Sequence, residues 1–349
     1  MISDQESPQY VQTSLAGAIC LGLERGRFMP HTRCGCLNLL LTYGSACRAC
    51  CSYCGLARNR QADTSSTFIR VKWPAYALDD ILQRMGKSSH PFRRVCVSMI
   101  THSRALPDTC SIIAQVRKST GLPVSGLLAP TVMKGIKDLQ AIREAGADQV
   151  GIAIDAATED LFSQHRGAGV GGPHRWEHFW RAVADAVQVF GPYAVGVHLI
   201  VGLGESEQEM VAAISRAYQL GAMTHLFSFF PEAGSLLESW PQPGLGAYRR
   251  VQLARYLINE GIIGERMVEY SPQGQIVGFG VDIEPYVGKG IPFMTSGCPG
   301  EDGLVACNRP FGNERASEAM RNYPFLPQAG DIEKIRLQIW DGVGEYERP

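Results

Sequence analysis

The 349-residue chain is 45% hydrophobic and 19% charged, with a formal net charge of −1. That balance supports a proper core and excludes a broad basic field for nucleic acid or an anionic membrane. No apolar run approaches the roughly 20 residues needed to span a bilayer. The polar start, MISDQESPQYVQTS, lacks the basic-then-apolar layout of a secretory signal, so a soluble, cytoplasmic protein is expected. Eleven cysteines are many for a reducing compartment, where clustered thiols point to metal or redox chemistry rather than disulfides.

In chain order, residues 1–35 read as an N-terminal extension, 36–280 as the core and 281–349 as a C-terminal extension. Strand-like runs fall at 36–44, 94–102, 122–130, 147–156, 194–204 and 223–232. Each is rich in Val, Ile, Leu or Phe without strict alternation, as in parallel strands covered on both faces. Helical patterns lie between them. The stretch 132–146 ends at Gly146, and in 206–221 Met210, Ala213, Ile214 and Ala217 form one apolar stripe between Ser206, a suitable N-cap, and Gly221. Trp176, Phe179 and Trp180 fit a helix packing stripe. Six strand–helix units predict an α/β fold, a parallel (β/α) barrel or partial barrel, with reactive groups at the C-terminal strand ends. A doubly wound sheet is the competing arrangement. The irregular tail is expected to close over one barrel end. Cys20, Cys96 and Cys110 sit singly and read as small buried hydrophobes.

The stretch GSACRACCSYCGLARNR, 44–60, places Cys47, Cys51 and Cys54 in a C-x3-C-x2-C spacing just after the first strand run. Zinc sites usually draw on two distant C-x2-C pairs. Three regularly spaced thiolates can instead hold three irons of a [4Fe–4S] cube and leave the fourth open to an exogenous ligand. A zinc loop or a reactive thiol set is the plainer reading. Cys50 occupies the variable position and reads as a bystander. Here the chain resembles the radical S-adenosylmethionine (radical SAM) superfamily. The resemblance implies a partial barrel, a [4Fe–4S] cluster and S-adenosylmethionine cleaved to a 5′-deoxyadenosyl radical. It implies that Tyr53 packs against the adenine, that Asp155 at the end of GIAIDAA contacts the ribose or methionine portion, and that SMITHSR, with Ser98, Thr101 and His102, meets the methionine amino group. That last segment departs from the superfamily's common Gly-Gly-Glu pattern. VHLIVGLGESEQEM, 197–210, resembles the family's fifth-strand segment, bringing Gly202, Gly204 and Glu205 toward the adenosine; the residue at 207 is Glu where a dinucleotide fingerprint needs its third glycine.

Two further thiol pairs remain, Cys34 with Cys36 and Cys298 with Cys307. Meeting at the barrel mouth, they could bind an auxiliary cluster, or serve as a zinc staple. CLNLLLTYGSACRACCSYCGLAR, VGLGES and CNRPFGNER together resemble the two-component lipoyl synthases. That likeness implies a sulfurtransferase that adds sulfur to an unactivated carbon of a protein-bound octanoyl chain. It also implies an octanoylated carrier domain or peptide, a companion radical SAM synthase, and flavodoxin or ferredoxin as electron donor. The wide spacing of the tail cysteines departs from the pattern. Biotin synthase, which takes auxiliary-cluster ligands from barrel strands, is the nearest enzymatic rival, and only Cys96 could play that part. Other biotin-synthase-like radical enzymes are further alternatives, as is a non-catalytic iron–sulfur or zinc scaffold. Arg309 and Arg315 read as solvated charges.

Overall fold

The computed structural model describes residues 5–28, 31–45, 47–60, 71–87, 90–307, 309, 314 and 318–344; Arg315 lies outside them. The main sheet contains β1 (Tyr10–Thr13), β2 (Cys36–Leu41), β3 (Ala75–Ala77), β4 (Arg94–Ser98), β5 (Val124–Leu128), β6 (Ala147–Asp155), β7 (Val195–Val201) and β8 (Met223–Ser228). Six of these, β2 and β4 to β8, fall in the six apolar runs. The spatial order is β3-β1-β2-β4-β5-β6-β7-β8. From β2 to β8 every neighbour is parallel and follows chain order. A doubly wound sheet would reverse that order at a switch point, and none occurs. Among the described residues β8 does not pair with the far edge, so the sheet is an open, partial barrel. The N-terminal segment adds β1, antiparallel to both β2 and β3.

Strand periodicity sorts the side chains. In β7, Val195, Val197, Leu199 and Val201 are buried in the main core, while His198 and Ile200 line a cavity on the opposite face. The same alternation turns Leu40 of β2, Ser98 of β4 and Leu127 of β5 into the barrel lumen. Both faces are covered, which is why the runs lack a polar alternation.

The connecting helices include α1 (Leu15–Cys20), α2 (Leu78–Lys87), α3 (Ala105–Thr120), α4 (Ile136–Glu144), α5 (Glu159–His165), α6 (Trp176–Phe190), α7 (Glu207–Gln219) and α8 (Leu245–Asn259). Trp176, Phe179, Trp180 and Val183 form the buried stripe of α6. At α7 the Ser206 hydroxyl accepts from the Glu209 N–H while the Glu209 carboxylate accepts from the Ser206 N–H. Such a cap is worth about 1 kcal/mol. Glu207 in the same turn pairs with the fully buried Arg250 of α8 at 2.6 Å. No described helix is long and apolar enough to cross a membrane.

The tail closes one end of the barrel, at the N-terminal ends of the strands. Arg94, 1% exposed, donates to the Pro299 carbonyl and makes a two-pronged pair with Asp148 at 2.5 and 2.7 Å. Arg93 donates to the Val305 carbonyl at 2.7 Å and pairs with Asp302. Gly35 approaches this segment so closely that a Cβ there would sit 2.7 Å from the Ala306 carbonyl oxygen.

Candidate active site

Cys47, Cys51 and Cys54 all line the cavity at the C-terminal end of β2. Their loop is pinned on three sides. Arg48 N–H donates to the Thr101 carbonyl at 2.9 Å beyond β4, and Ser52 N–H donates to the His165 carbonyl at 2.8 Å at the end of α5. The His165 side chain completes the tie. Its Nε2 lies 3.0 Å from the Leu203 carbonyl, which can only accept, so Nε2 carries the proton and Nδ1 accepts from the Ser52 hydroxyl at 2.9 Å. Burial lowers the His165 pKa and keeps this neutral form.

The donor set fits an iron–sulfur cluster. Three thiols face one cavity, and two of them receive backbone donors: Thr101 N–H to Cys47 Sγ and Leu56 N–H to Cys54 Sγ, each at 3.4 Å. N–H donors to sulfur are a recognised means of tuning cluster thiolates. Among the described residues no three His, Cys, Asp or Glu side chains are placed to hold a single metal ion. Cys50 is buried away from the cavity, with its sulfur 3.5 Å from Arg58 Nη2.

Asp155 ends β6 at a register shift, with a φ of 65°. Asp tolerates this left-handed conformation better than most residues, and the turn sends its carboxylate to the cavity wall. There it accepts from the Tyr53 hydroxyl at 2.5 Å and pairs with Arg166 at 3.2 Å. Arg166 is buried against the Phe162 and Phe179 rings and donates to the Ile154 carbonyl at 2.9 Å. Its positive charge favours the Cys51 thiolate, yet burial raises that thiol's pKa. Tyr53, Thr101 and Asp155 therefore share the cavity with the three thiols.

Other residues expected at this site lie outside it. Gly202, Gly204 and Glu205 do not line the cavity. Glu205 instead binds its own turn, accepting from Gly202 N–H at 2.6 Å and Leu203 N–H at 2.9 Å. A Cβ on Gly202 would sit 2.7 Å from the Pro243 ring, so close packing and a φ of 109° demand glycine there. At this strand end Ile200 and Phe229 face the cavity instead. His102 turns away from the cavity to stack on Tyr43, with ring centroids 3.8 Å apart.

The remaining thiols assemble differently from the expected pairs. Cys36 opens β2, whose register sets it beside the start of β4, and Cys96 follows on the lumen side of β4; electrostatic coupling links Cys36, Cys96, Cys298 and Cys307 as neighbours. They meet not at the barrel mouth but at the opposite, tail-covered end. Cys298 and Cys307 are brought side by side by a Pro299–Val305 bridge, with Cys307 N–H donating to the Cys298 carbonyl at 3.2 Å. A Cβ on Gly297 would lie 2.5 Å from Cys307 Cβ, which reserves that position for glycine. Cys34 is absent from this group. It packs in the hydrophobic core in contact with Cys20, because it precedes β2 and lies outside the lumen-facing column. Cys96 replaces it: register places it opposite Asn38 of β2 and Ser125 of β5. Burial raises the Cys298 pKa to about 12, whereas its neighbour Cys36 draws Cys307 below the ordinary thiol value.

Arg309 is not a solvated charge. It is 7% exposed, lines the cavity, donates to Ser98 Oγ at 2.9 Å and lies over Trp73. His198 faces it across the lumen, held neutral by burial, with His225 beside it in register and pushed to about 3 by burial. Each histidine stands two residues before a cavity-lining residue of its own strand, Ile200 on β7 and Phe227 on β8; nothing local announced Arg309.

The fold and site define an open parallel barrel carrying a three-thiol cluster loop at its C-terminal rim. The sequence pattern of the radical SAM superfamily matches residues 41–217, and the chain belongs to that superfamily. Its cofactors are accordingly a [4Fe–4S] cluster and S-adenosylmethionine. No curated protein matches the chain. Among solved structures, HydG, a maturase of the [FeFe]-hydrogenase, has a TM-score of 0.51 at 14% identity, covering 65% of this chain and 50% of its own. Methylornithine synthase (PylB) gives 0.49 at 17% identity, covering 64% of each. TsrM from Kitasatospora setae, a radical S-adenosylmethionine methyltransferase, gives 0.41 at 14%, covering 83% of this chain and 60% of its own. The chain thus spans between half and two thirds of these proteins. At such identities the likeness to HydG speaks for the fold alone.

Proposed function

We propose that this radical SAM enzyme is a sulfurtransferase of the lipoyl-synthase kind, inserting sulfur into an unactivated C–H bond of a protein-bound octanoyl chain. One observation carries the reading: four further thiols, Cys36, Cys96, Cys298 and Cys307, neighbour one another at the tail-covered end of the barrel, and the cavity that holds the radical loop extends to Ser98, 4.0 Å from Cys96 Sγ, and to Arg309, two residues from Cys307. Four thiolates suit an auxiliary [4Fe–4S] cluster. When bound, the radical cluster and S-adenosylmethionine supply a hydrogen-abstracting radical, and the auxiliary cluster supplies sulfur.

The chain's own residues contribute position and shielding. Leu40, Leu127, Ile200, Phe227 and Phe229 give the cavity an apolar wall, suited to a hydrocarbon chain and to excluding water from a carbon radical. Asp155 and Tyr53 offer a carboxylate and an aromatic face to S-adenosylmethionine at the rim. The partners are an octanoylated carrier domain or peptide, a companion radical SAM synthase, and flavodoxin or ferredoxin as reductant. Biotin-synthase-like sulfur insertion is the second reading, favoured by Cys96, a strand residue turned into the lumen.

The test is anaerobic reconstitution followed by iron and sulfide counts, then incubation with S-adenosylmethionine, reductant and an octanoylated carrier peptide. About eight irons per chain and a product heavier by sulfur are expected. About four irons would remove the auxiliary cluster and the sulfur-insertion reading with it. Eight irons with sulfur added to dethiobiotin but not to the octanoyl peptide would select the second reading.

A further inference from the structure

The tail delivers more than two thiols to the lumen. Arg309 follows Cys307 by two residues, and its positive charge and backbone N–H both favour the Cys307 thiolate. Its side chain then runs inward over Trp73, with the guanidinium 5.5 Å from the ring centroid. It ends in a 2.9 Å hydrogen bond to Ser98 Oγ, and Ser98 lies 4.0 Å from Cys96 Sγ on the same strand face. Arg309 thus stands two residues from a tail thiol, and its guanidinium is joined through Ser98 to the surroundings of a β4 thiol, at the edge of the cavity that it lines. Among the described residues no carboxylate forms an ion pair with it. A buried cation is costly to desolvate and persists where an anion compensates it. Arg94, the other buried cation near these thiols, has Asp148.

We infer that Arg309 is a positioning residue for an anionic iron–sulfur cluster held by Cys36, Cys96, Cys298 and Cys307: it compensates the charge of the four thiolates on the cavity side and sets the reduction potential of that cluster. The inference rests on the second-cluster reading above. Guanidinium is charged at every accessible pH and donates from several N–H groups, so it can bridge Ser98 and a cluster sulfur together. Removing a positive charge beside a group that gains an electron disfavours the reduced form.

The experiment uses the full chain, reconstituted with iron and sulfide, in a Cys47/Cys51/Cys54→Ala background so that only the second cluster is observed. Arg309→Met, Arg309→Lys and Ser98→Ala are compared by iron count, electron paramagnetic resonance and redox titration. Arg309→Met is expected to bind the cluster but shift its reduction equilibrium at least tenfold toward the oxidised form, about 59 mV for one electron. Arg309→Lys, which keeps the charge, is expected to stay within a few-fold of the parent. Arg309→Met losing iron while Arg309→Lys retains it likewise supports charge compensation. An unchanged potential and spectrum in Arg309→Met overturns the inference while leaving the second cluster standing. Equal loss of iron in Arg309→Met and Arg309→Lys, with circular dichroism intact, overturns it in favour of tail packing. A parent that binds no iron overturns the second-cluster reading itself.

Discussion

The radical loop and the tail-covered thiol group use the same side chain in opposite ways. Cys47, Cys51 and Cys54 lie within eight residues and take their geometry from one loop, pinned by neighbouring strand ends. Cys36, Cys96, Cys298 and Cys307 span 272 positions, from 36 to 307 counted inclusively, and meet only because strands pair in register and the tail docks beneath them. A local site survives as a spacing in the sequence. A dispersed site exists only once the barrel is built.

The sharpest break of that comparison is in the loop. Cys51→Ser should abolish S-adenosylmethionine cleavage and remove about four irons while leaving the second thiol group loaded; cleavage at the parent rate would mean the loop is not the radical site. In the dispersed group, Cys96→Ala should also remove about four irons and stop sulfur transfer, yet preserve S-adenosylmethionine cleavage. Cys34→Ala should change neither iron count. Loss of iron in Cys34→Ala but not in Cys96→Ala would reverse the assignment of the fourth ligand.

The next effect is on stability at the rim. Arg166→Met leaves the Asp155 carboxylate buried without its cation, a change that costs about 3 kcal/mol, read by denaturant unfolding of the cluster-free protein. Tyr53→Phe removes one hydrogen bond to the same carboxylate and should cost about 1 kcal/mol. If both variants unfold like the parent, the network does not hold the rim.

The smallest effect separates the turn after β7 from the site. Burial raises the Glu205 pKa to about 7 from 4.5, outweighing the backbone N–H donors that lower it. The folded state therefore holds this proton more tightly than the unfolded state. Its contribution to stability is full below about 4.5 and is lost as pH rises toward about 7. Glu205→Gln should flatten that slope, by of order 1–3 kcal/mol across the window, without changing S-adenosylmethionine affinity. A large loss of affinity would restore Glu205 to the ligand site.

The six parallel strands, the α7 cap at Ser206, the α6 packing stripe and the cluster loop were legible in the sequence. Each depends on residues a few positions apart, whose spacing encodes a period, a cap or a ligand set directly. VGLGES was legible as a strand-to-helix turn but not as a turn that binds its own carboxylate and leaves the cavity. Hydrogen bonds between Glu205 and the Gly202 and Leu203 N–H groups decide that. Cys34 and Cys36 looked like a pair because they are two residues apart; the end of a strand separates them, and regular alternation no longer applies beyond it. Cys96 looked like a core residue because its run is apolar on both sides. Only sheet register sets it opposite Asn38 and Ser125 in the lumen, and only the docked tail brings Cys298, Cys307 and Arg309 to meet it. Sequence by itself determined what repeats or coordinates locally. Tertiary structure decided what shares the lumen, because side chains remote in the chain become neighbours only when parallel strands fix their register and the barrel end is closed.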